Sequence, residues 1–335
     1  MSGAERMLSF SLAINEAIHQ AMAEDPNVIL LGQGVKSPWY VGNTAKDLLE
    51  RYGALRVMDT PVSENAVTGA AVGAAIAGAR AIVVHPRVDF MLYAFDPIIN
   101  QAANWHFMSG GSVPVPVVFW GIVNRGGEQA AQHSQALHSL FAHIPGLKVV
   151  APSTPEDAKG LMLAAIADDN PVVFIDDRWL YGLEAHVPTE RYTTEIGKGV
   201  VRRQGRDATI VTFSYLVPKA LEAARELASR GVDCEVVDLR TLKPLDTDLV
   251  TSSARKTKRV VVCDTGWRTG GIGAEVAAQL SESCFSELRA PVGRVALPDA
   301  PAPASRTLED AYYISTQSII AAVESVIAFG TGVAQ

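Results

Sequence analysis

The chain has 335 residues, a formal net charge of −7, and a composition that is 48% hydrophobic and 19% charged. This length favours two domains, and the apolar content suffices for large cores, which excludes an intrinsically disordered chain. The negative charge gives no electrostatic reason to expect a nucleic acid or an anionic membrane as a partner.

The cysteines and the first thirty residues indicate the cellular compartment in which the protein resides. The three cysteines form no CxxC motif, and their odd number excludes a disulfide framework and fits a reducing compartment. Residues 1–30 lack a basic start followed by an apolar run, and no stretch of about 20 apolar residues predicts a membrane span. We therefore expect a cytoplasmic protein.

Apolar, β-branched runs alternate with helical patterns through the first half of the chain. An amphipathic helix and then a buried strand are predicted within residues 7–32. The elements predicted here are strands at 27–31, 81–84, 115–120, 147–151 and 171–175 and helices at 64–79, 95–107 and 154–167. This alternation predicts a mostly parallel sheet with helices on both faces.

A polar segment at 184–206, which contains Pro188 and several glycines, interrupts the alternation and predicts a linker. A second set of elements follows, with strands at 208–213, 233–238, 259–264 and 291–296 and helices at 219–230 and 273–283. The sequence therefore predicts an α/β protein of two doubly wound domains, at residues 1–190 and 207–335, joined by a linker at 191–206.

Three of the seven histidines, His133, His138 and His143, fall within the stretch AAQHSQALHSLFAHIPG. A spacing of five residues places successive side chains about 140° apart on a helix, which disfavours one metal site formed by all three. His133 follows a glycine-containing polar stretch after the predicted strand at 115–120, and ligands bind at strand ends in doubly wound sheets. His133 is therefore the functional candidate, whereas His138 and His143 fit packing or a partner contact.

Two further segments contain candidate residues. Glu64 begins a small-residue helix, where a carboxylate either complements the helix dipole or serves as a functional acid, and its position alone does not decide between these roles. After the strand at 81–84, His85, Arg87, Asp89 and Phe90 follow closely. Charged residues at the end of a strand indicate either the rim of a site or surface salt bridges. The stretch TGGIGAEV fits the dinucleotide motif GxGxxG poorly.

Several segments between about residues 7 and 325 are specific enough to compare with known families: TPVSENAVTGAAVGAAIAGARAIV, DFMLYAFDPIINQAA, MSGGSVPVPVVF, AAQHSQ, HIPGLKVVAPSTPEDAKGL, DDNPVVF, DLRTLKPLD and GWRTGGIGAEVAA. Together they resemble the beta subunit of the heterotetrameric thiamine-diphosphate-dependent 2-oxo acid dehydrogenases. That family includes the decarboxylating components of the pyruvate, branched-chain 2-oxo acid and acetoin dehydrogenase complexes. The resemblance implies a pyrimidine-binding domain followed by a transketolase C-terminal-type domain.

The resemblance also implies roles for three residues. Glu64 matches the glutamate that hydrogen-bonds N1′ of the cofactor's aminopyrimidine and favours its imino tautomer, which takes the proton from thiazolium C2. Phe90 matches the aromatic residue that packs on the aminopyrimidine. His133 matches the active-site histidine that faces the substrate and assists transfer to a lipoyl group.

Metal ions and partners follow from the same resemblance. Val117, Ala165, Asp168 and Asn170 match a potassium site formed largely by backbone carbonyls in some relatives. The superfamily binds diphosphate and magnesium through a GDG motif, and this chain contains no GDG. The resemblance therefore implies an alpha subunit that holds magnesium, an alpha2beta2 heterotetramer with the cofactor at alpha–beta interfaces, and a lipoyl-bearing acyltransferase as the acceptor.

The chain departs from the family pattern around the expected substrate entrance. Relatives commonly have GEDV or GEEV where this chain has GQGV at 32–35, and His85, Arg87 and Arg125 add imidazole or cationic groups. Such groups bind phosphate oxygens, so a ketose phosphate cleaved in a transketolase-like step is an alternative to a 2-oxo acid. The structural alternative is that Arg87 and Arg125 pair with local acids such as Asp89 and Glu128. A non-catalytic scaffold is a third hypothesis, which the presence of Glu64, Phe90 and His133 disfavours.

Overall fold

The structure is a computed structural model that describes residues 6–37 and 41–330, so the outermost ends of both predicted domains lie outside the described residues. The chain divides into two compact units. The first comprises the chain up to Arg125 together with Gln132–Ile196. The second comprises Gly126–Ala131 together with the chain from Gly197 onward. The short segment at 126–131 thus groups with the second unit although it lies between two parts of the first.

The strands of the first unit are short and mostly buried, as expected for β-branched runs in the middle layer of an α/β fold. They are β1 (Met7–Ser9), β2 (Val28–Gly32), β3 (Val57–Asp59), β4 (Arg80–His85), β5 (Val117–Val123), β6 (Lys148–Val150), β7 (Val172–Asp177) and β8 (Glu184–His186). Six of them are parallel neighbours in the order β6-β7-β5-β4-β2-β3. The first and last strands pair with each other as a separate antiparallel ribbon.

The helices of the first unit follow strands in the chain, which is the pattern of a doubly wound sheet. They are α1 (Phe10–Glu24), α2 (Leu48–Tyr52), α3 (Glu64–Ile76), α4 (Ala103–Met108), α5 (His138–Ala142) and α6 (Pro155–Ala167). The predicted helix at 95–107 is instead a π-helical segment, Asp96–Ala102, that continues into α4. The helix α6 is capped at its start, because the Thr154 hydroxyl accepts a hydrogen bond from the Asp157 amide at 3.2 Å.

The second unit contains another α/β sheet. Its strands are β9 (Val200–Arg203), β10 (Ala208–Thr212), β11 (Cys234–Asp238), β12 (Thr241–Lys243), β13 (Val260–Trp267) and β14 (Gly293–Leu297), and its helices are α7 (Leu216–Ser229), α8 (Thr247–Thr257), α9 (Ile272–Cys284), α10 (Arg306–Tyr312) and α11 (Thr316–Ala328). The sheet has the order β14-β13-β10-β11-β9, in which only the edge strand β9 runs antiparallel to its neighbour. The α/β fold class is confirmed, with mixed sheets.

The polar segment at 184–206 differs from the expectation, because it contributes one strand to each unit, β8 and β9. Its polar, alternating side chains form short edge strands, which carry little hydrophobic signal in a sequence. Within the described residues, no helix is both long enough and apolar enough to cross a membrane.

Candidate active site

Glu64 is the first residue of α3, and its side chain is partly exposed. Ser63 precedes the helix and makes no side-chain cap. The acidic side chain of Glu64 lies in the first turn, at the positive end of the helix dipole, where backbone N–H groups lack partners within the helix. Gln33, which follows β2, donates a hydrogen bond from Nε2 to Glu64 Oε1 at 3.1 Å. One carboxylate oxygen is thereby oriented by a neutral donor.

One turn further along α3, Thr68 links the helix to the end of β4. Its Oγ1 lies 3.2 Å from Nε2 of His85, and both side chains are buried. Burial lowers the pKa of His85 from 6.5 to about 4, so its imidazole is neutral at neutral pH. His85, a predicted substrate residue, therefore lies inside the helix–sheet contact and carries no positive charge there.

The 3₁₀-helical segment Val88–Ala94 follows β4, where the sequence indicated a continuing strand end. Gly121 in β5 allows this segment to pack closely, because a Cβ at that position would lie 2.5 Å from Met91 Sδ and 3.1 Å from Val88 Cγ2. The segment also packs against α3. It buries Asp89 and leaves the neighbouring Phe90 partly exposed.

His133 meets the 3₁₀ segment through its ring. The Phe90 and His133 rings are in edge contact, with centroids 5.4 Å apart and planes at 88°. Two residues further on, Gln135 donates its backbone N–H and its side-chain Nε2 to Asp89 Oδ1 at 3.2 and 2.8 Å. Phe90 and His133, which the sequence singled out separately, are thus brought together, and α3 with Glu64 packs on the same segment.

The other two histidines of the cluster have different environments. His138 is the first residue of α5 and is buried, whereas His143 follows that helix and is exposed. Among the described residues, no group of three His, Cys, Asp or Glu side chains is arranged to hold a metal ion.

The two candidate arginines also differ. Arg87 is partly exposed at the start of the 3₁₀ segment. The Arg125 side chain is fully buried and its Nε donates to Asp177 Oδ2 at 2.7 Å. Burial raises the pKa of Asp177, and the Arg125 charge opposes that rise. Asp177 was not among the expected partners; it lies beside the end of β5 because β5 and β7 are neighbours in the sheet.

Among the residues matched to a potassium site, Asp168 already has hydrogen-bond partners. The Asp168 backbone oxygen, together with that of Ile166, accepts a hydrogen bond from Arg80 Nη1 at 3.1 Å. The Asp168 carboxylate pairs with Lys148 and accepts the Asn170 amide at 2.9 Å. Val117 begins β5 and Ala165 is buried in α6. Two cationic side chains already lie at Asp168, which disfavours a further cation beside that residue.

Three site residues had not been assigned a role from the sequence: Gln33, Thr68 and Gln135. Gln33 stands out only because the motif GQGV departs from the acidic family pattern. The Asp89–Gln135 contact joins residues 46 positions apart, and nothing in the local sequence pairs them.

Two family models together match most of the chain. Residues 6–183 match the family model for the transketolase pyrimidine-binding domain, and residues 197–319 match the model for the transketolase C-terminal domain. Glu64, Phe90 and His133 therefore all fall within the pyrimidine-binding match.

Curated relatives match along nearly the full chain. The beta subunit of acetoin:2,6-dichlorophenolindophenol oxidoreductase from Cupriavidus necator is 46% identical, over 97% of this chain and 99% of that protein. The beta subunit of the pyruvate dehydrogenase E1 component from Rickettsia felis is 43% identical, over 94% of this chain and 96% of that protein. The chain belongs to this family of dehydrogenase beta subunits, built from transketolase pyrimidine-binding and C-terminal domains.

A solved structure described as a split-gene transketolase, an inactive beta4 tetramer, matches with a TM-score of 0.79, covering 96% of this chain and 98% of that chain. The sequence identity is 23%, so this likeness concerns the fold alone.

Proposed function

We propose that the chain is the beta subunit of a thiamine-diphosphate-dependent enzyme that cleaves a 2-oxo acid and passes the resulting acyl unit to a lipoyl carrier. The observation that carries this proposal is the edge contact between Phe90 and His133 beside the helix that begins with Glu64. An aromatic ring, a titratable imidazole and a partly exposed carboxylate are the groups that such a reaction requires from this chain.

The side chains present fit the aminopyrimidine of thiamine diphosphate. Glu64 offers a carboxylate for a ring nitrogen, and the donor that orients it, Gln33, is neutral. Phe90 offers a partly exposed aromatic ring for stacking. Bound between these residues and the partner subunit, thiamine diphosphate would supply the carbon nucleophile and the electron sink that cleavage of a 2-oxo acid needs.

Each residue then has a distinct task. Glu64 holds or accepts a proton at N1′ of the pyrimidine, and the hydrogen bond from Gln33 keeps its carboxylate in one orientation. Phe90 packs on the ring and excludes water from the reacting carbon. His133 donates a hydrogen bond to a substrate oxygen, and its edge contact with Phe90 sets the direction of its ring.

The rest of the site belongs to a partner in this proposal. The chain has no GDG motif for diphosphate and magnesium, so we assign both to an alpha subunit in an alpha2beta2 heterotetramer. The names of the relatives, each a beta subunit, support a complementary chain. Potassium is not part of the proposal, because Arg80 and Lys148 already lie at Asp168.

The charges at the site favour a 2-oxo acid over a ketose phosphate. A phosphate needs exposed cationic donors, but Arg125 is buried with Asp177 and His85 is buried and neutral. Of the three residues that suggested a phosphate, Arg87 alone is partly exposed. The relative from Cupriavidus necator acts on acetoin by its name, so acetoin is included among the substrates to be tested.

The test combines this chain with its alpha partner, magnesium and thiamine diphosphate, and follows reduction of 2,6-dichlorophenolindophenol. One panel contains 2-oxo acids, a second contains acetoin, and a third contains ketose phosphates. Release of carbon dioxide from a 2-oxo acid supports the proposal, and adding a lipoyl domain then tests the acceptor. Release of a shortened aldose phosphate supports the transketolase-like alternative. Cofactor binding without turnover of any panel would support a scaffold role.

A further inference from the structure

Asp89 is a buried carboxylate beside the candidate active site that the proposed chemistry does not use. It lies in the 3₁₀ segment Val88–Ala94, immediately before Phe90, and is 4% exposed. A buried carboxylate is costly to place in a fold unless hydrogen bonds or opposite charge compensate for lost hydration. Its contacts therefore indicate what it contributes.

Those contacts are concentrated on one residue. Asp89 Oδ1 accepts both the backbone N–H of Gln135, at 3.2 Å, and its side-chain amide, at 2.8 Å. Asp89 Oδ2 is buried and accepts no hydrogen bond from any residue that the structure describes. Burial raises the pKa of Asp89, while the bonds from Gln135 and the positive charge of a protonated His133 oppose the rise.

The segment that contains His133 has little regular structure of its own. Residues 131–137 lie outside helices and strands, and the preceding stretch has positive φ angles at Gly126, Gly127, Glu128 and Ala130. A non-glycine residue with positive φ is held there by its surroundings, at an energetic cost. The direction of the His133 ring therefore depends on contacts made with neighbouring elements.

Two successive residues of the 3₁₀ segment provide such contacts. Phe90 meets the ring of His133, and Asp89 binds both amides of Gln135 two residues further on. The ring contact holds a side chain, whereas the hydrogen bonds to Asp89 hold both the backbone and the side chain of Gln135. The paired contacts thus hold the His133 segment at two points.

We propose that Asp89 is a positioning residue, whose carboxylate holds Gln135 so that His133 stays against Phe90 in the orientation that the reaction needs. The catalytic part of this inference rests on the proposed function. The structural part, a hydrogen-bonded clamp on residues 133–135, does not.

The test compares D89A and D89N in the complex of this chain with its alpha subunit, by amide hydrogen exchange and by steady-state kinetics. In D89A the Gln135 amide loses its acceptor, so we expect its exchange to rise about tenfold or more. We expect kcat to fall about tenfold or more, with a much smaller change in KM, since positioning of His133 acts on the reaction step. D89N keeps an oxygen that accepts both Gln135 donors and should restore both readouts to within about threefold.

The matched control is D96A. Asp96 also accepts an amide hydrogen bond, from Asn100 at 2.8 Å, but that pair is exposed and lies outside both the 3₁₀ segment and residues 133–135. D96A should leave the Gln135 exchange rate and kcat unchanged. Should D89A fail to assemble, Q135A removes only the 2.8 Å bond and should lower kcat less, about threefold.

Unchanged Gln135 exchange in D89A, or an equal loss of kcat in D89N and D89A, would overturn the proposal. A wild-type complex that turns over no substrate would refute the proposed function instead, and the exchange measurement would still decide whether Asp89 clamps the segment.

Discussion

The imidazole of His133 stands almost perpendicular to the ring of Phe90, with centroids 5.4 Å apart and planes at 88°. Edge-to-face pairs are favoured by the quadrupole of an aromatic ring and contribute about 0.5–1.5 kcal/mol beyond the area that they bury. The contact joins the ring assigned to the pyrimidine with the histidine assigned to the substrate. One loop and one 3₁₀ turn therefore set the geometry between both groups.

Two of the clustered histidines, His133 and His143, make a matched pair of variants. H133A should lower kcat about 100-fold or more, because a positioned acid–base group contributes about 10²–10⁴-fold. H143A removes an exposed imidazole from the same stretch and should leave kcat unchanged. Steady-state kinetics of both variants, with a thermal unfolding scan to exclude misfolding, gives the comparison. Equal activities in H133A and H143A would contradict the role assigned to His133.

Gln33 allows a test of the charge beside Glu64. Replacing it by glutamate puts a second carboxylate where the Gln33 amide now lies 3.1 Å from Glu64 Oε1. Two carboxylates at that separation favour a shared proton, so the acid limb of the kcat profile should move to higher pH by about one unit or more. Q33M, which removes the hydrogen bond without adding charge, should lower kcat with little displacement of that limb. Superimposable profiles for wild type and Q33E would refute the contact.

His85 makes stability depend on pH in a defined direction. Burial lowers the pKa of His85 from 6.5 to about 4 in the folded chain. Between pH 6.5 and 4 the imidazole is therefore protonated in the unfolded chain but neutral in the folded chain. Stability should be unaffected above pH 6.5 and should fall between pH 6.5 and 4, by about 3 kcal/mol. Urea unfolding at pH 7.5 and 4.5 should show a smaller pH difference in H85Q than in wild type. The same difference in both proteins would count against this assignment.

We predict that the guanidinium of Arg80 occupies the place near Asp168 that a potassium ion would otherwise take. Exchanging potassium for sodium in the buffer should leave the unfolding temperature unchanged, because a guanidinium already binds the carbonyl oxygens of Ile166 and Asp168. R80M should lower stability by about 1–2 kcal/mol, since it leaves those acceptors without a charged donor. R206M, at an arginine whose side chain is 82% exposed, should change little. A potassium-specific rise in unfolding temperature would contradict this view.

The helices and strands of both units were predictable from the sequence because their cores rest on local periodicity. The strand β4 and the helix α6 begin or end within a residue or two of their predicted bounds. The 3₁₀ segment Val88–Ala94 was not predictable, since it depends on the space that Gly121 leaves on a different strand. Short edge strands such as β8 also gave no signal, because their side chains are polar.

The candidate site was predictable only residue by residue. Glu64, Phe90 and His133 were found through motifs, yet their mutual placement depends on the order of strands in the sheet. The same holds for Arg125, whose expected partners were near in sequence, whereas Asp177 is 52 residues away and lies next to it through strand pairing. A single sequence does not record which strands become neighbours.

The central claim is that Glu64 moves the proton that activates the cofactor, and hydrogen–deuterium exchange at thiazolium C2 of bound thiamine diphosphate measures this directly. The measurement uses the complex with the alpha subunit, in wild type and in E64Q, with E50Q at an exposed glutamate of α2 as the control. We predict that E64Q binds the cofactor but exchanges the C2 proton slower by about two orders of magnitude or more, while E50Q matches wild type. Equal C2 exchange rates in E64Q and wild type, with the cofactor bound in both, would contradict the account.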